Sequence, residues 1–489
     1  MKKYFTKKDY ITGLVCSRSL WARYHAPEHL QTSSSMHYAA EAGITVGRLA
    51  KKLFAHGIDL EPLSFTENLA KSKEYKNARK TLFEAAFTYQ SCYARADVLI
   101  PVEDKLWDIV EVKSASNLKD DFLHDLAFQK YCYEGAGLLI RKCFVLYINN
   151  EYVRKGTLDL EALLKKEDVT KKVMLKSENI AQKIARMQEL ITYDTVNDIA
   201  PRECMQPSAC LAPVLCWGVL EKNNVFELAR AGAKARRFYD EGVMRIQDIP
   251  DHFPLSAYQE IQMRATKQGR EHLNVPELKT FMDPLTYPLY FLDFESFSTA
   301  IPLYDGTRPF QHIPFQFSLH IIPAPGAEAE HISFLAKDAR DPREAFARAL
   351  SQAVGTSGSI VVYNETYEKG RLKELKEAFP PYKPVIEPIL SRIIDLEFPF
   401  RKFHYYHPSQ QGRSSIKKVL PTLTKKSYDA LAIAQGLDAS NEFVRAVHHD
   451  TPKEEQETIF SQLEAYCALD THAMIDLLFA LQKKISAHE

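Results

Sequence analysis

A chain of 489 residues with 45% apolar content is long enough for two or three domains, each with its own interior, and its 63 basic residues balance 63 acidic ones. Net neutrality excludes bulk electrostatic coating of nucleic acid and leaves only a locally basic groove for such a partner. No stretch approaches the roughly 18 to 20 apolar residues of a membrane span, so a cytoplasmic protein with no membrane partner is expected. Eight cysteines in such a chain are too few for a disulfide scaffold, so any cysteine cluster is read as a metal site or a reactive group.

In chain order, residues 1–60 read as helical, with Cys16 in Val-Cys-Ser-Arg-Ser-Leu-Trp and a second helix running through Val46 and Gly47. A polar helix over 66–80 follows, and Leu82-Phe-Glu84-Ala-Ala-Phe opens a strand-rich stretch. Ala96-Asp97-Val-Leu-Ile reads as a strand that begins near Asp97, Glu103-Asp104-Lys105 as a turn, and Leu106 to Lys113 as the returning strand of a hairpin. Residues two apart on a strand share a face, which sets Glu111 beside Lys113. Asp97 and Glu111 can then hold a metal that polarises a phosphodiester, while Lys113 orients water or stabilises charge. In the next helix Gln129 and Tyr133 are four apart and share a face.

The set Glu84, Asp97, Glu111-Val-Lys113 and Gln129-x-x-x-Tyr133 resembles the PD-(D/E)XK nuclease core in its RecB-like exonuclease branch, over roughly residues 40–150. The resemblance implies Asp97 and Glu111 as metal ligands and Glu84, Lys113, Gln129 and Tyr133 as catalytic residues. Members usually carry a metal-binding histidine in a Gly-x-x-Val-His stretch, and here Gly43-Ile-Thr-Val46-Gly47 puts glycine in that place. That departure implies weaker metal binding, recruitment of Glu84 or Glu41, or a fold kept for DNA binding without cleavage.

Residues 150–200 read as helical and charged. Cys204, Cys210 and Cys216 then follow, five residues between neighbours, in a segment too proline-rich for helix or sheet. Thiolates are soft ligands, and four of them suit either zinc or an iron–sulfur cluster, with Cys16 as the fourth. Iron–sulfur members of the RecB-like branch are similar: one cysteine before the nuclease core and three after it hold a 4Fe-4S cluster. The closing spacing differs, since the common form has a two-residue gap where this chain has five. Zinc is the alternative cofactor. Cys92, Cys132, Cys143 and Cys467 are assigned to ordinary packing. Residues 217–285 read as a helical connector, in which Ala233 to Pro250 has the helix, Gly242 turn and second apolar start of half a helix-hairpin-helix.

The last part opens on Tyr290-Phe-Leu-Asp293-Phe-Glu295-Ser, where strand alternation puts Asp293 and Glu295 on one face and Leu292 and Phe294 in packed interior. Two buried carboxylates side by side are costly unless a cation joins them, and Mg²⁺ or Mn²⁺ prefers such oxygens. The pattern continues as β, β, β, α, β, α, with strands at 313–322, 331–335 and 359–364 and a helix at 342–354. Glu368 begins the helix after the last strand, and Tyr466 and Asp470 lie four apart on a long C-terminal helix. Asp293-x-Glu295, Asn364-x-x-x-Glu368 and Tyr466-x-x-x-Asp470 resemble the three motifs of the DnaQ-like, RNase H-fold 3′→5′ exonucleases of the DEDD group, tyrosine subtype, with Glu368 in place of the usual Asp. The resemblance implies a two-metal site on Asp293, Glu295, Glu368 and Asp470, with Tyr466 positioning the attacking water. Asn364 and Lys417 are assigned to substrate contact, and Asp395 resembles a further part of the fold. His404 and His407 have no evident third ligand and are read as aromatic packing.

The expected fold is therefore a multidomain α/β (α+β) chain: a PD-(D/E)XK restriction-endonuclease-like core over 1–216, a helical connector over 217–285 and an RNase H-like exonuclease core over 286–489. The expected function is metal-dependent hydrolysis of nucleic acid, DNA favoured over RNA, by exonuclease or end-trimming action in repair or defence. The alternatives are an RNA-processing 3′→5′ exonuclease, or a nucleic-acid-binding protein whose N-terminal site is inactive.

Overall fold

The structure, a computed structural model, describes residues 4–31, 34–200, 210–218, 220–429, 431–433 and 435–488, with 34–39 described by backbone alone. The described residues form two compact units: one takes the chain up to 200, then 210–218 and Thr299–Gln311, and the other takes 220–298 and His312 onward.

The first unit is built on a mixed sheet. Its strands are β1 (Phe5–Thr6), β2 (Ile58–Asp59), β3 (Leu82–Tyr89), β4 (Cys92–Pro101), β5 (Leu106–Lys113), β6 (Leu139–Ile148) and β7 (Leu164–Asp168). They lie in the order β2-β3-β4-β5-β6-β7, with β1 paired to β4. The β3, β4 and β5 pairings are antiparallel, while β6 runs parallel to β5 after a crossover through the helix Asp120–Gly135. Trp107 and Ile109 on β5 pack with Leu123, Leu126, Ala127 and Phe128 of that helix. Val110 instead joins Val46 and Ala50 of the helix Ser34–Lys51. The helix Phe65–Asn77 lies beside β3, where Asn68 Oδ1 and Ser72 Oγ both accept the Ala86 N–H.

Two features differ from the sequence reading. Strand β4 starts at Cys92, so Asp97 is mid-strand rather than at its beginning. The 150–200 stretch is not all helical: β7 pairs antiparallel with β6, and its exposed Lys165, Lys166 and Asp168 are the charges that protect an edge strand and disguise it as helix surface.

The second unit holds a five-stranded sheet of β9 (Leu289–Phe297), β10 (Ile313–Ile322), β11 (Glu330–Leu335), β12 (Ser359–Val362) and β13 (Ile393–Asp395), preceded in the chain by β8 (His272–Leu273). The order is β11-β10-β9-β12-β13; β10 is antiparallel to both of its neighbours, β11 and β9, and β12 and β13 run parallel to β9. Tyr290, Leu292 and Phe294 pack on Phe346, Ala347 and Leu350 of the helix Arg343–Ala353. Alternation turns Asp293 and Glu295 to the other face, where the helix Lys453–Ser486 lies against β9 and β10.

Residues 220–285 belong to this second unit instead of standing apart as a connector. They form their own apolar cluster of Val225, Leu228, Ala235, Phe238, Ile246, Ile249 and Met263. The helix Ala233–Asp240 ends before Gly242 at φ 81°, but the next element is a 3-10 turn at Ile246–Asp248, not the second helix of a hairpin. β8 pairs with β14 (Tyr405–Tyr406). No helix among the described residues is long and apolar enough to cross a membrane.

Candidate metal centre

The acids of the second unit come together. Asp293 and Glu295 arrive on β9, Asp470 on the helix Lys453–Ser486, and one carboxylate oxygen from each lies within 4.8 Å of the others. This is the one such group of His, Cys, Asp or Glu among the described residues. Glu368, in the first turn of the helix Glu365–Ala378, lines the same cavity of about 560 Å³. Its Oε2 is buried and has no hydrogen-bond partner. Lys417 is the one lysine or arginine among the lining residues. Burial and the neighbouring carboxylates therefore hold Asp293, Glu295 and Glu368 well above the usual carboxylate range. Burial pushes Asp470 up to about 6, against the hydrogen bond from Tyr428. Crowded acids with an unpartnered buried oxygen fit a hard divalent cation.

The surroundings fix these groups. Tyr428 donates to Asp470 Oδ1 at 2.5 Å. Lys417, on the helix Ile416–Thr424, donates to the Tyr466 phenol at 3.1 Å and lies 5.1 and 5.4 Å from the centres of the Tyr466 and Tyr428 rings. Cys467 Sγ is 3.5 Å from Asp293 Oδ2, so this cysteine touches the site. Asn364 caps the Glu368 helix in a left-handed conformation at φ 76°, and Asp395 holds it there by accepting its N–H at 3.0 Å. Ser296 Oγ meets the Tyr367 hydroxyl at 2.6 Å, tying β9 to the residue before Glu368. The sequence reading missed Tyr428, Cys467 and Ser296. Tyr428 sits outside any regular element, and neither cysteine nor serine differs in pattern from core packing. His404 and His407 do not converge: His404 packs edge-on to Phe398, and His407 Nδ1 accepts the Ser409 N–H.

In the first unit Glu84, Asp97, Glu111 and Lys113 line one cavity of about 700 Å³. The β4–β5 ladder ends at Val98 and Val110; beyond it the Asp97 carboxylate accepts the Val112 N–H at 2.6 Å. Glu111 Oε1 meets Lys7 at 2.7 Å and Lys113 at 2.9 Å, and Oε2 accepts from Gln129 at 2.6 Å. Burial alone would raise Glu111, but Lys113 and Lys7 hold it down at about 2. Burial and the Glu111 charge push Asp97 up to about 7. Lys113 also pairs with Asp125, and Glu84 pairs with Arg95 at 2.7 Å. Gln129 and Tyr133 part company: the Tyr133 hydroxyl donates to the Ala85 carbonyl and accepts the Ala96 N–H, both at 2.6 Å, which places it in the β3–β4 ladder and outside the cavity lining. Gly47 lines the cavity with open space where a side chain would start, whereas Glu41 is exposed and does not line it.

Cys16 is buried and caps the helix Ser17–His25. Arg18 of that helix donates to the carbonyls of Ile199 and Leu215 and lies 3.9 Å from Cys216 Sγ. Trp21 and Ala22 pack with Ile199 and Ala212, so the Cys16 helix and the Cys210–Cys216 segment share a cluster. Cys204 lies outside the described residues. Cys92, Cys132, Cys143 and Cys467 are fully buried.

A family model described as a domain of unknown function, DUF2779, matches residues 290–415, which include Asp293, Glu295, Asn364 and Glu368 and stop short of Lys417, Tyr466 and Asp470. The uncharacterized protein UU173 of Ureaplasma parvum is 26% identical over 216 residues, covering 40% of this chain and 31% of that protein. The uncharacterized MG366 homolog of Mycoplasma pneumoniae is 28% identical over 221 residues, covering 41% of this chain and 33% of its own length. The chain thus spans about a third of the length of the curated relatives it matches. No solved structure matches the chain.

Proposed function

We propose that this chain is a metal-dependent nuclease, acting on DNA in preference to RNA, whose cutting site is the cluster of Asp293, Glu295, Glu368 and Asp470. The observation that carries this reading is the convergence of three carboxylates within 4.8 Å beside a fourth whose buried oxygen has no partner. Such an arrangement is unfavourable for folding and is what divalent-ion hydrolysis of phosphodiesters uses. The β11-β10-β9-β12-β13 order, with acids on the first strand and the C-terminal helix, supports an RNase H-like exonuclease core. The β3-β4-β5-β6 arrangement with Asp97, Glu111 and Lys113 in one cavity supports a RecB-like unit.

Asp293, Glu295, Glu368 and Asp470 would hold divalent ions, which would supply Lewis acidity and lower the pKa of a bound water towards neutrality. Tyr466, fixed by Lys417 on one side and Asp470 four residues along its own helix, would position the attacking water. Lys417 faces the cavity as its lone lining ammonium and receives the phosphate charge. Asn364, fixed by Asp395, contacts the strand being trimmed. Cys16, Cys210 and Cys216, with Cys204 as the fourth thiolate, would hold an iron–sulfur cluster, a reading supported by the packing of the Cys16 helix against the Cys210–Cys216 segment.

The test is hydrolysis of end-labelled single-stranded DNA and RNA with Mg²⁺ or Mn²⁺. Asp293→Asn should reduce DNA cleavage by about a thousand-fold, the scale of losing one preorganised charge, while Lys113→Ala retains most of it. Full activity in Asp293→Asn would end the assignment.

A further inference from the structure

The start of the described chain delivers a lysine into the first unit's cavity. Phe5 and Thr6 pair with Cys92 and Tyr93, so the chain enters alongside β4. The helix Lys7–Val15 begins at once, closed by a capping box between Thr6 and Asp9, and Asp9 is held by Arg23 at 2.9 Å. Lys7 therefore leaves a fixed backbone, and its ammonium reaches Glu111 Oε1 at 2.7 Å. Lys113 pairs with the same oxygen at 2.9 Å and Gln129 donates to the other, so two ammoniums and an amide surround the Glu111 carboxylate.

We propose that Lys7 is the internal counter-ion of this cavity, an ammonium that competes with a divalent cation for Glu111 and Asp97 and so sets how tightly the N-terminal site binds metal. The proposal rests on reading Asp97 and Glu111 as metal ligands. A small divalent ion sits about 2.0–2.1 Å from its oxygen ligands, and on an oxygen that already pairs with two ammoniums it would be a third cation. One lysine has to yield. Lys113 is 18% exposed and keeps Asp125 as a second partner, whereas Lys7 is 34% exposed at the wall of the cavity and has Glu111 alone as its ion-pair partner among the described residues. The second unit has no equivalent: Lys417 donates to a phenol and makes no ion pair with a described acid.

The experiment uses the full chain carrying Asp293→Asn and Glu295→Gln, which silences the other site, and follows Mn²⁺ binding by electron paramagnetic resonance. Adding Lys7→Gln should tighten Glu111-dependent binding about tenfold, while Lys7→Arg matches the parent and Glu111→Gln abolishes binding. Equal affinity with and without Lys7, still dependent on Glu111, overturns the role of Lys7 and leaves the metal-ligand reading standing. No Glu111-dependent binding in any variant overturns both. A second measurement needs no substitution at Lys7: acylation of the unmodified chain, mapped by mass spectrometry. Mg²⁺ should speed labelling of Lys7 several-fold over chelator, with Lys142, paired to Asp168 and absent from the cavity lining, as the unchanged reference. An unchanged Lys7 rate overturns the proposal.

Discussion

In the first unit's cavity the buried Glu111 carboxylate is met by Lys7, Lys113 and Gln129 and held down at about 2. In the second unit Asp293, Glu295 and Glu368 share a cavity with one lysine that is itself bonded to Tyr466, and all three are pushed up. One cavity pairs its central acid, Glu111, from within, although Asp97 beside it is pushed up to about 7; the other keeps its acids in mutual repulsion. The difference separates two reasons for burying charge. Paired charges such as Glu111 with its lysines hold strands and helix together, whereas unpaired acids weaken the fold and point to an ion from outside.

Removing one carboxylate from the first cavity, with unfolding measured in chelator, distinguishes the two cavities most strongly. Glu111→Gln should lower stability by about 3 kcal/mol, because it leaves Lys7 and Lys113 charged and under-partnered in a buried site. Glu111 is depressed by folding, so its contribution is full above the unfolded carboxylate range and is lost as the pH falls towards about 2. An unchanged denaturation midpoint would mean the two ion pairs do not stabilise the unit.

A titration sharpens the other side. Asp470 sits at about 6 before any ion binds, so a proton must leave for the ion to enter. Mn²⁺ affinity at the second site, measured with Glu111→Gln to silence the first, should fall at least about tenfold per pH unit below that value, since Asp293, Glu295 and Glu368 are pushed up as well. In chelator the sign for stability is opposite to that of Glu111: the folded state keeps a proton that the unfolded chain has released, so this group's contribution declines as pH rises from its unfolded value to about 6. A flat metal affinity across this range would refute the crowding.

The smallest effect is the reverse substitution. Glu295→Gln in chelator near neutral pH should raise stability by about 1 kcal/mol, since it removes a repulsion and no ion pair. Thermal unfolding with and without Mg²⁺ checks it: the parent should gain more from the ion than the variant does.

The parts legible in the sequence are those governed by a short period. Alternation from Tyr290 to Ser296 gave the core face and the acid face, and the four-residue spacing of Tyr466 and Asp470 put both on the helix side that meets Asp293. The resemblance assigns Tyr133 to catalysis, while its hydroxyl bonds the Ala85 carbonyl; sharing a face with Gln129 does not decide whether a long side chain reaches the cavity or the strands beneath it. Lys7 was illegible: its partner Glu111 is 104 residues away, and the two-residue β1 that aims it is too short to carry a pattern. The 220–285 stretch was taken for a connector because its helices are short and its apolar cluster draws on turns as much as on helices.

The Thr299–Gln311 segment leaves β9, packs as part of the first unit and returns to begin β10. There Ala300, Ile301 and Phe310 join the cluster around Val110, and Arg154 donates to the carbonyls of Pro302 and Leu303. On the ribosome, therefore, the first unit stays incomplete long after residue 218 has emerged, and its last piece arrives only with the opening strand of the second. Fragments cut between the units by truncation should fold poorly on the N-terminal side, and co-translational folding of that unit should stall until about the first 311 residues have cleared the exit tunnel.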